Sequence, residues 1–268
     1  MDGGISNPAG TAERLAQMLA ALPDLARDAL VDPVPPRNLN DWSALPPETP
    51  AALFCPRSAE QVAAILAAAN AARVPVVPQG GLTGLCGGAR PIAGGIALSL
   101  EKMTGIEEID EASATMTVLA GTPLELIQRA AAERGLFFSL DLGARGSCAI
   151  GGNAGTNAGG NRVIRYGMMR DLVLGAEVVL PDGTIVNALS KLIKNNTGYD
   201  VRQLFIGSEG TLGVITRLVL KLHPAPGCTH AAICGLSDYD KVVDLLRGAR
   251  RSSNAGHSRQ KDLVGASR

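Results

Sequence analysis

The chain has 268 residues, enough for two modest lobes or one large domain. Hydrophobic residues make up 46% and aromatics only 3%, so any core is built from Ala, Val, Leu and Ile. Twenty-five basic residues balance 25 acidic ones. That balance argues against a non-specific nucleic-acid or anionic-membrane surface, both of which need clustered positive charge. Backbone dipoles are left to hold any anionic ligand.

Five cysteines carry no CxxC pair, which predicts reduced thiols and, with no basic-then-apolar leader and no spanning apolar run, a cytoplasmic protein. His223, Cys228, His230 and Cys234 lie close in sequence, but their spacing matches no zinc pattern, so no metal is expected.

In chain order, leucines at 15, 19, 22 and 25 predict one amphipathic helix over Thr11 to Leu30. Pro33 to Pro50, with Trp42 inside, reads as an irregular arm. Ala51 to Cys55 predicts a strand, and Ser58 with Gln61 predicts a capping box opening a helix buried through Val62, Ile65, Leu66 and Ala69. Val74 to Val77 closes a βαβ-like unit and delivers a glycine turn, 79–85, at a strand's carboxyl end, where open α/β sheets place ligands.

Gly94 to Leu100 and Thr115 to Ala120 read as further strands. Thr122, Pro123 and Glu125 predict an N-cap, first turn and capping box, with Leu124, Ile127 and Ala131 facing inward and Gly135 ending the helix. Pro181-Asp182-Gly183 predicts a hairpin between Val173–Leu180 and Thr184–Val186. Ile215 to Leu222 alternates as a half-buried strand does. Tyr239 to Arg251 predicts a helix, and the polar, basic stretch from Ser252 to Arg268 predicts disorder.

Between Ser139 and Gly167 the chain reads SLDLGARGSCAIGGNAGTNAGGNRVIRYG. Successive N–H groups in such a run can form an anion-binding concavity. A flexible linker is the plainer reading. Ile150, Val163, Ile164 and Tyr166, with apolar segments on both sides, argue against it. A third glycine segment spans 207–213. Neither G-x-G-x-x-G, the P-loop pattern nor G-x-S-x-G occurs.

PQGGLTGL (78–85), SCAIGGNAGTNAGG (147–160), RYG (165–167) and KNNTGYDVRQLFIGSEGTLGVIT (194–216) resemble the FAD-linked D-2-hydroxyacid dehydrogenases. These include D-lactate dehydrogenases, the glycolate oxidase FAD subunit and D-2-hydroxyglutarate dehydrogenase. The resemblance implies the α+β fold of the vanillyl-alcohol-oxidase (PCMH) type: two α+β subdomains, about 41–100 and 101–225, holding FAD non-covalently between them. Residues 1–40 would be an N-terminal helix and arm, and 226–251 the opening of a substrate domain.

The resemblance implies that Gly80, Gly81, Thr83, Gly84 and Leu85 wrap the pyrophosphate. Ser147, Cys148, Gly151, Gly152, Asn153, Thr156, Asn157, Gly159 and Gly160 would line the flavin and ribityl arm, with Tyr166 and Gly167 closing that wall. Glu209, Gly210, Gly213 and Ile215 would lie on the far side, and Cys148 would be a packed thiol. The implied reaction oxidises a small D-2-hydroxy acid to the 2-oxo acid. The rest of the family's substrate domain has no counterpart here, so the sequence reads as a truncated or frame-shifted member with no assignable catalytic residue. Two other readings stand beside it: an FAD-binding module or subunit needing a partner, and a nicotinamide-dependent reductase on the same fold.

Overall fold

The computed structural model describes residues 8–227 and 232–254. Helices α1 (Pro8–Ala21) and α2 (Asp24–Arg27) replace the single predicted first helix. Pro23 interrupts it, having no N–H to continue the ladder. A strand pair follows, β1 (Leu30–Val31) with β2 (Ala52–Phe54), and between them the arm holds only one short 3-10 turn, Pro36–Leu39. Helix α3 (Ala59–Ala71) starts where predicted. The Ser58 side chain accepts from the Gln61 N–H, while Gln61 reaches past it to the Arg57 N–H and to the Leu25 carbonyl instead of closing a reciprocal box.

Strands β3 (Val76–Gln79) and β4 (Ile96–Ser99) complete the first sheet in the order β1-β2-β4-β3. Strand β4 enters between β2 and β3 and runs parallel to both, with every residue buried. Pro78 is tolerated because β3 is an edge strand that need not donate on its outer side.

The second sheet is antiparallel, ordered β5-β6-β10-β8-β9, from β5 (Ile106–Asp110), β6 (Thr115–Leu119), β8 (Val173–Val179), β9 (Ile185–Ala188) and β10 (Val214–Lys221). A small pair joins β7 (Leu136–Phe137) to β11 (His223–Pro224). Strand β10 does not have the expected half-buried character. It lies between β6 and β8, and only Arg217 and Lys221 are partly exposed along it. Arg217 escapes burial as an unpaired charge by bonding Glu107 (3.0 Å) and the buried Glu177 (3.2 Å), whose other oxygen accepts from Thr216 (2.8 Å).

Helix α4 (Leu124–Ala132) buries Leu124, Ile127 and Ala131 as predicted, but its N-cap is Pro123, not Thr122. The Thr122 hydroxyl donates instead to Leu119 (2.6 Å) and accepts from the Gly105 N–H (3.0 Å), tying the loop after β6 to the loop after β4. Four short helices complete the body: α5 (Ile150–Gly155), α6 (Val163–Tyr166), α7 (Met169–Leu172) and α8 (Arg202–Phe205).

The turn between β8 and β9 forms at the predicted site, with Gly183 at φ 87° lying against Ala63 and Ala67 of α3. One contiguous core, from Met18 to Leu222, joins the two sheets through α3, α4 and α5. Helix α9 (Tyr239–Asn254) extends into the stretch predicted to be disordered, and leaves Leu245 and Leu246 exposed. The remainder of that stretch, 255–268, and Cys228 and His230 lie outside the described residues. Among the described residues no helix is long and apolar enough to cross a membrane.

Candidate functional site

Between the sheets, at the carboxyl ends of β3 and β4, lies a cavity of about 460 Å³. Its floor is apolar: Leu100 after β4, Ala120 after β6, and Val214 and Ile215 entering β10. Around this floor three glycine-rich walls meet.

The first wall is the loop leaving β3. No backbone carbonyl among the described residues accepts from the N–H groups of 80–86. Seven consecutive donors are therefore left to water or a ligand, and a cavity lined by such donors suits an anion. Gly81 is dictated by crowding, since a first side-chain carbon there would lie 2.1 Å from the Ser147 carbonyl oxygen.

The second wall is α5 and the chain leading into it. Here the sequence expectation needs correction. Most N–H groups of 147–158 are bonded within the protein: Ser147 and Cys148 to Ala144, Ile150 to Thr122, Gly151 to Ala120, Asn153 to Ala149 and Thr156 to Gly152. The glycines serve contact instead of anion binding. Gly151 sits where a methyl would meet the Ala120 methyl at 2.6 Å, and Gly160 abuts the Asp141 backbone. Cys148 and Asn153 line the cavity, with Asn153 Oδ1 buried and without a protein partner. Burial pushes the Cys148 thiol up against a lowering hydrogen bond from Asn153. The thiol is thus packed and un-ionised.

The third wall, 207–213, is docked onto α5 by hydrogen bonds from Gly207 N–H to Ala154 (3.0 Å) and Glu209 N–H to Gly155 (2.9 Å). Arg170 secures it from behind. Its guanidinium donates to the Gln203 carbonyl and side-chain oxygens (2.7 Å each) and to the Ile206 carbonyl, while its own N–H donates to Asn157 (2.9 Å).

Of the residues anticipated from sequence, Gly80, Gly81, Thr83, Gly84, Leu85, Cys148, Gly151, Gly152, Asn153, Thr156, Glu209, Gly210, Gly213 and Ile215 all line this cavity. Ser147, Asn157, Gly159, Gly160, Tyr166 and Gly167 do not. Asn157 holds Arg170, and Gly159 and Gly160 allow close packing. Tyr166 stacks between Phe137 and His223, at 5.7 Å and 4.8 Å between ring centroids. Gly167 provides a φ of 78° beside Asp171.

Sequence reasoning missed Asp41, Cys86, Gly88 and Ala89, which also line it. Asp41 belongs to the arm, 38 positions before Gln79, and no spacing rule connects the two. Burial raises the Asp41 carboxyl, but hydrogen bonds from Ser43 and Ala89 outweigh it and hold the group below its ordinary value. Among the described residues the cavity's charged lining consists of Asp41 and Glu209, with no Lys, Arg or His. An anion bound here meets N–H dipoles and no counter-charge.

Residues 50–189 match the family model described as an FAD binding domain. The chain belongs to that FAD-binding family. FAD suits the cavity, because the donors of 80–86 that no described carbonyl takes could hold a pyrophosphate and the apolar floor could take a flat ring system.

The family chain is 45% identical over 210 residues to the D-2-hydroxyglutarate dehydrogenase of Bos taurus mitochondria, covering 78% of this chain and 39% of that one. It is 43% identical to the D-2-hydroxyglutarate dehydrogenase of Xanthomonas citri pv. viticola, covering 78% and 44%. Against the mitochondrial D-2-hydroxyglutarate dehydrogenase of Danio rerio it is 42% identical, covering 90% and 45%. The chain thus spans less than half the length of these relatives. A solved alkyldihydroxyacetonephosphate synthase superposes with TM-score 0.71 at 21% identity, covering 94% of this chain and 47% of that one, which shows a shared α+β fold.

Proposed function

We propose that this chain is the cofactor-holding part of an FAD-dependent oxidoreductase that converts a small D-2-hydroxy acid, of the 2-hydroxyglutarate, lactate or glycolate class, to its 2-oxo acid. The observation that carries it is the seven-residue run 80–86, whose N–H groups find no backbone acceptor among the described residues and open onto a cavity with no described basic side chain. On this reading residues 41–225 form the cofactor domain, divided near Leu100 where the chain leaves the first sheet. Gly80, Gly81, Thr83 and Gly84 donate to the pyrophosphate. Cys148, Gly151, Gly152, Asn153 and Thr156 lie along the flavin and ribityl arm, and Glu209, Gly210, Gly213 and Ile215 bound the opposite side. On this reading FAD is held without a covalent bond, with Cys148 a small buried thiol in the cavity wall. Bound there, FAD supplies an acceptor for a hydride from the alcohol carbon.

Alcohol oxidation also needs a base for the hydroxyl proton and a clamp for the carboxylate. Among the described cavity residues, Asp41 is committed to Ser43 and Ala89, Glu209 is the one other carboxylate, and no cation is present to clamp a substrate carboxylate. This supports a second reading, in which the chain binds FAD and a further domain or partner subunit completes the substrate wall. Cytoplasmic placement rests on the unpaired thiols of Cys55, Cys86, Cys148 and Cys234. The vertebrate relatives' names place those proteins in mitochondria.

The test is direct. The purified full chain should be yellow and release FAD on denaturation, whereas a colourless protein that takes up no FAD refutes the cofactor assignment. Turnover of D-2-hydroxyglutarate, D-lactate or glycolate with a dye acceptor at saturating FAD would support the first reading. FAD binding without turnover would support the second, and bleaching by NADPH alone would favour a nicotinamide-dependent reductase.

A further inference from the structure

The loop between Gln79 and Arg90 has little internal support. Among the described residues its N–H groups from 80 to 86 find no backbone acceptor, and it contains five glycines. Ordering such a segment is entropically costly, and a ligand that must order it binds correspondingly more weakly. What shapes the loop comes from outside it.

Gln79 at its start and Ala89 near its end are joined, the Gln79 amide donating to the Ala89 carbonyl at 3.0 Å. Gln79 is locked in turn by Asn38. The Asn38 amide donates to Gln79 Oε1 (2.9 Å), Gln79 Nε2 donates back to the Asn38 carbonyl (3.0 Å), and both residues are fully buried. On the other side of Ala89, Asp41 Oδ2 accepts the Ala89 N–H (3.4 Å), while Oδ1 accepts from the Ser43 N–H (3.0 Å). Leu45 lies over Gly87, whose φ of 81° favours glycine there. Arg90 donates to the Pro46 carbonyl and pairs with Glu48 at 3.4 Å.

We infer that the arm, residues 38–48, is a working part of the cofactor site, in which Asn38 and Asp41 act as positioning residues that pre-shape the 80–89 loop for the pyrophosphate. The closed ring Asn38–Gln79–Ala89–Asp41 bridges both ends of the loop to one short segment. The arm precedes the stretch matched by the family model, which begins at residue 50. Asp41 is also the one arm residue that reaches the cavity wall, and its carboxylate is held ionised by the bonds it accepts. The inference rests on the FAD reading.

The experiment uses the full chain with Asp41→Ala, Asp41→Asn and Asn38→Ala, read by FAD affinity from flavin fluorescence quenching, by thermal unfolding of the apoprotein, and by thermolysin nicking before Leu82 or Leu85 mapped by mass spectrometry. A bond to a charged group supports an expected loss of about tenfold or more in FAD affinity for Asp41→Ala. Asp41→Asn, which keeps one acceptor oxygen, should fall between it and the wild type, and nicking should accelerate in the same order. If Asp41→Ala does not fold, the Asn variant and Asn38→Ala carry the same ordering. Variants that unfold at lower temperature but bind FAD as the wild type does, with unchanged nicking, would reduce the arm to a structural element and overturn the inference. A wild type that takes up no FAD would bring down the cofactor reading and the inference together, an outcome distinct from normal wild-type binding matched by the variants.

Discussion

Two glycine-rich stretches of this chain look alike as text and do opposite work. In 80–86 the backbone donors stay free and the loop is shaped from outside by the arm. In 147–160 the donors are mostly satisfied inside the protein, and the missing side chains let backbones approach closely. Glycine alone does not make an anion site. What matters is whether the surrounding fold supplies carbonyls that occupy its N–H groups, and around α5 it does while around 80–86 it does not.

Gly81→Ala should do the most damage, because it strikes where the two stretches touch. Its methyl would fall 2.1 Å from the Ser147 oxygen and 2.7 Å from Cys148 Cα. Neither backbone can yield cheaply, so stability should drop by about 3 kcal/mol or more, at the upper end of overpacking costs, and FAD uptake should fail. Chemical denaturation and flavin quenching read both, and a variant normal in either breaks the proposed contact.

Gly160→Ala separates packing from binding. Its methyl would meet the Asp141 oxygen at 1.8 Å outside the cavity. A loss of about 3 kcal/mol or more is expected here too, with FAD affinity of the folded fraction unchanged. Weakened affinity at constant stability would show that 159–160 touches the cofactor after all.

Gly152→Ala should do the reverse. Gly152 lines the cavity within α5, and nothing lies within 4 Å of the added carbon. Alanine should stabilise the helix by about 0.5–1 kcal/mol while its methyl intrudes on FAD. A higher melting temperature with weaker FAD binding is the expected signature, and unchanged affinity would move the cofactor away from α5.

Salt sharpens the electrostatic side of the comparison. With Asp41 and Glu209 the charged groups among the described lining residues, FAD affinity should shift by no more than about twofold between 0.1 M and 1 M salt, where the screening length falls from about 10 Å to about 3 Å. A steep loss of affinity would mean that a cation has been overlooked.

The smallest effect expected is that of mild acid. The Asp41 carboxyl is lowered in the folded state, so its contribution is complete above the ordinary value of 3.8 and disappears as pH falls through the lower folded value. Affinity losses traceable to Asp41, measured as the difference between wild type and Asp41→Asn, should appear only below that point. A loss centred nearer neutrality would assign the titration to another group.

Much of the local structure was legible because it depends on neighbours in sequence. Ser58 starts α3, the Pro181-Asp182-Gly183 turn joins β8 to β9, and the inward faces of α3 and α4 follow from apolar spacing. Four ordered motifs were enough to anticipate the family and half of the cavity lining. Misreadings arose where a distant partner intervened. Thr122 leaves its capping role for Gly105 and Leu119, and Gln61 is taken by Leu25 and Arg57. Strand β10 is buried along nearly its whole length, with β6 and β8 on its edges and α5 packed against it, which its alternating pattern could not show.

The sequence by itself determined which residues turn, cap and pack locally, and that a nucleotide would have to be held by main-chain dipoles in a chain without net charge. Only the tertiary structure decided which glycine run keeps its donors free, because that depends on carbonyls brought in from elsewhere along the chain. It alone set Asn38 and Asp41 around a loop some 40 positions later, through contacts of |i−j| 41 and 48 that no local pattern encodes.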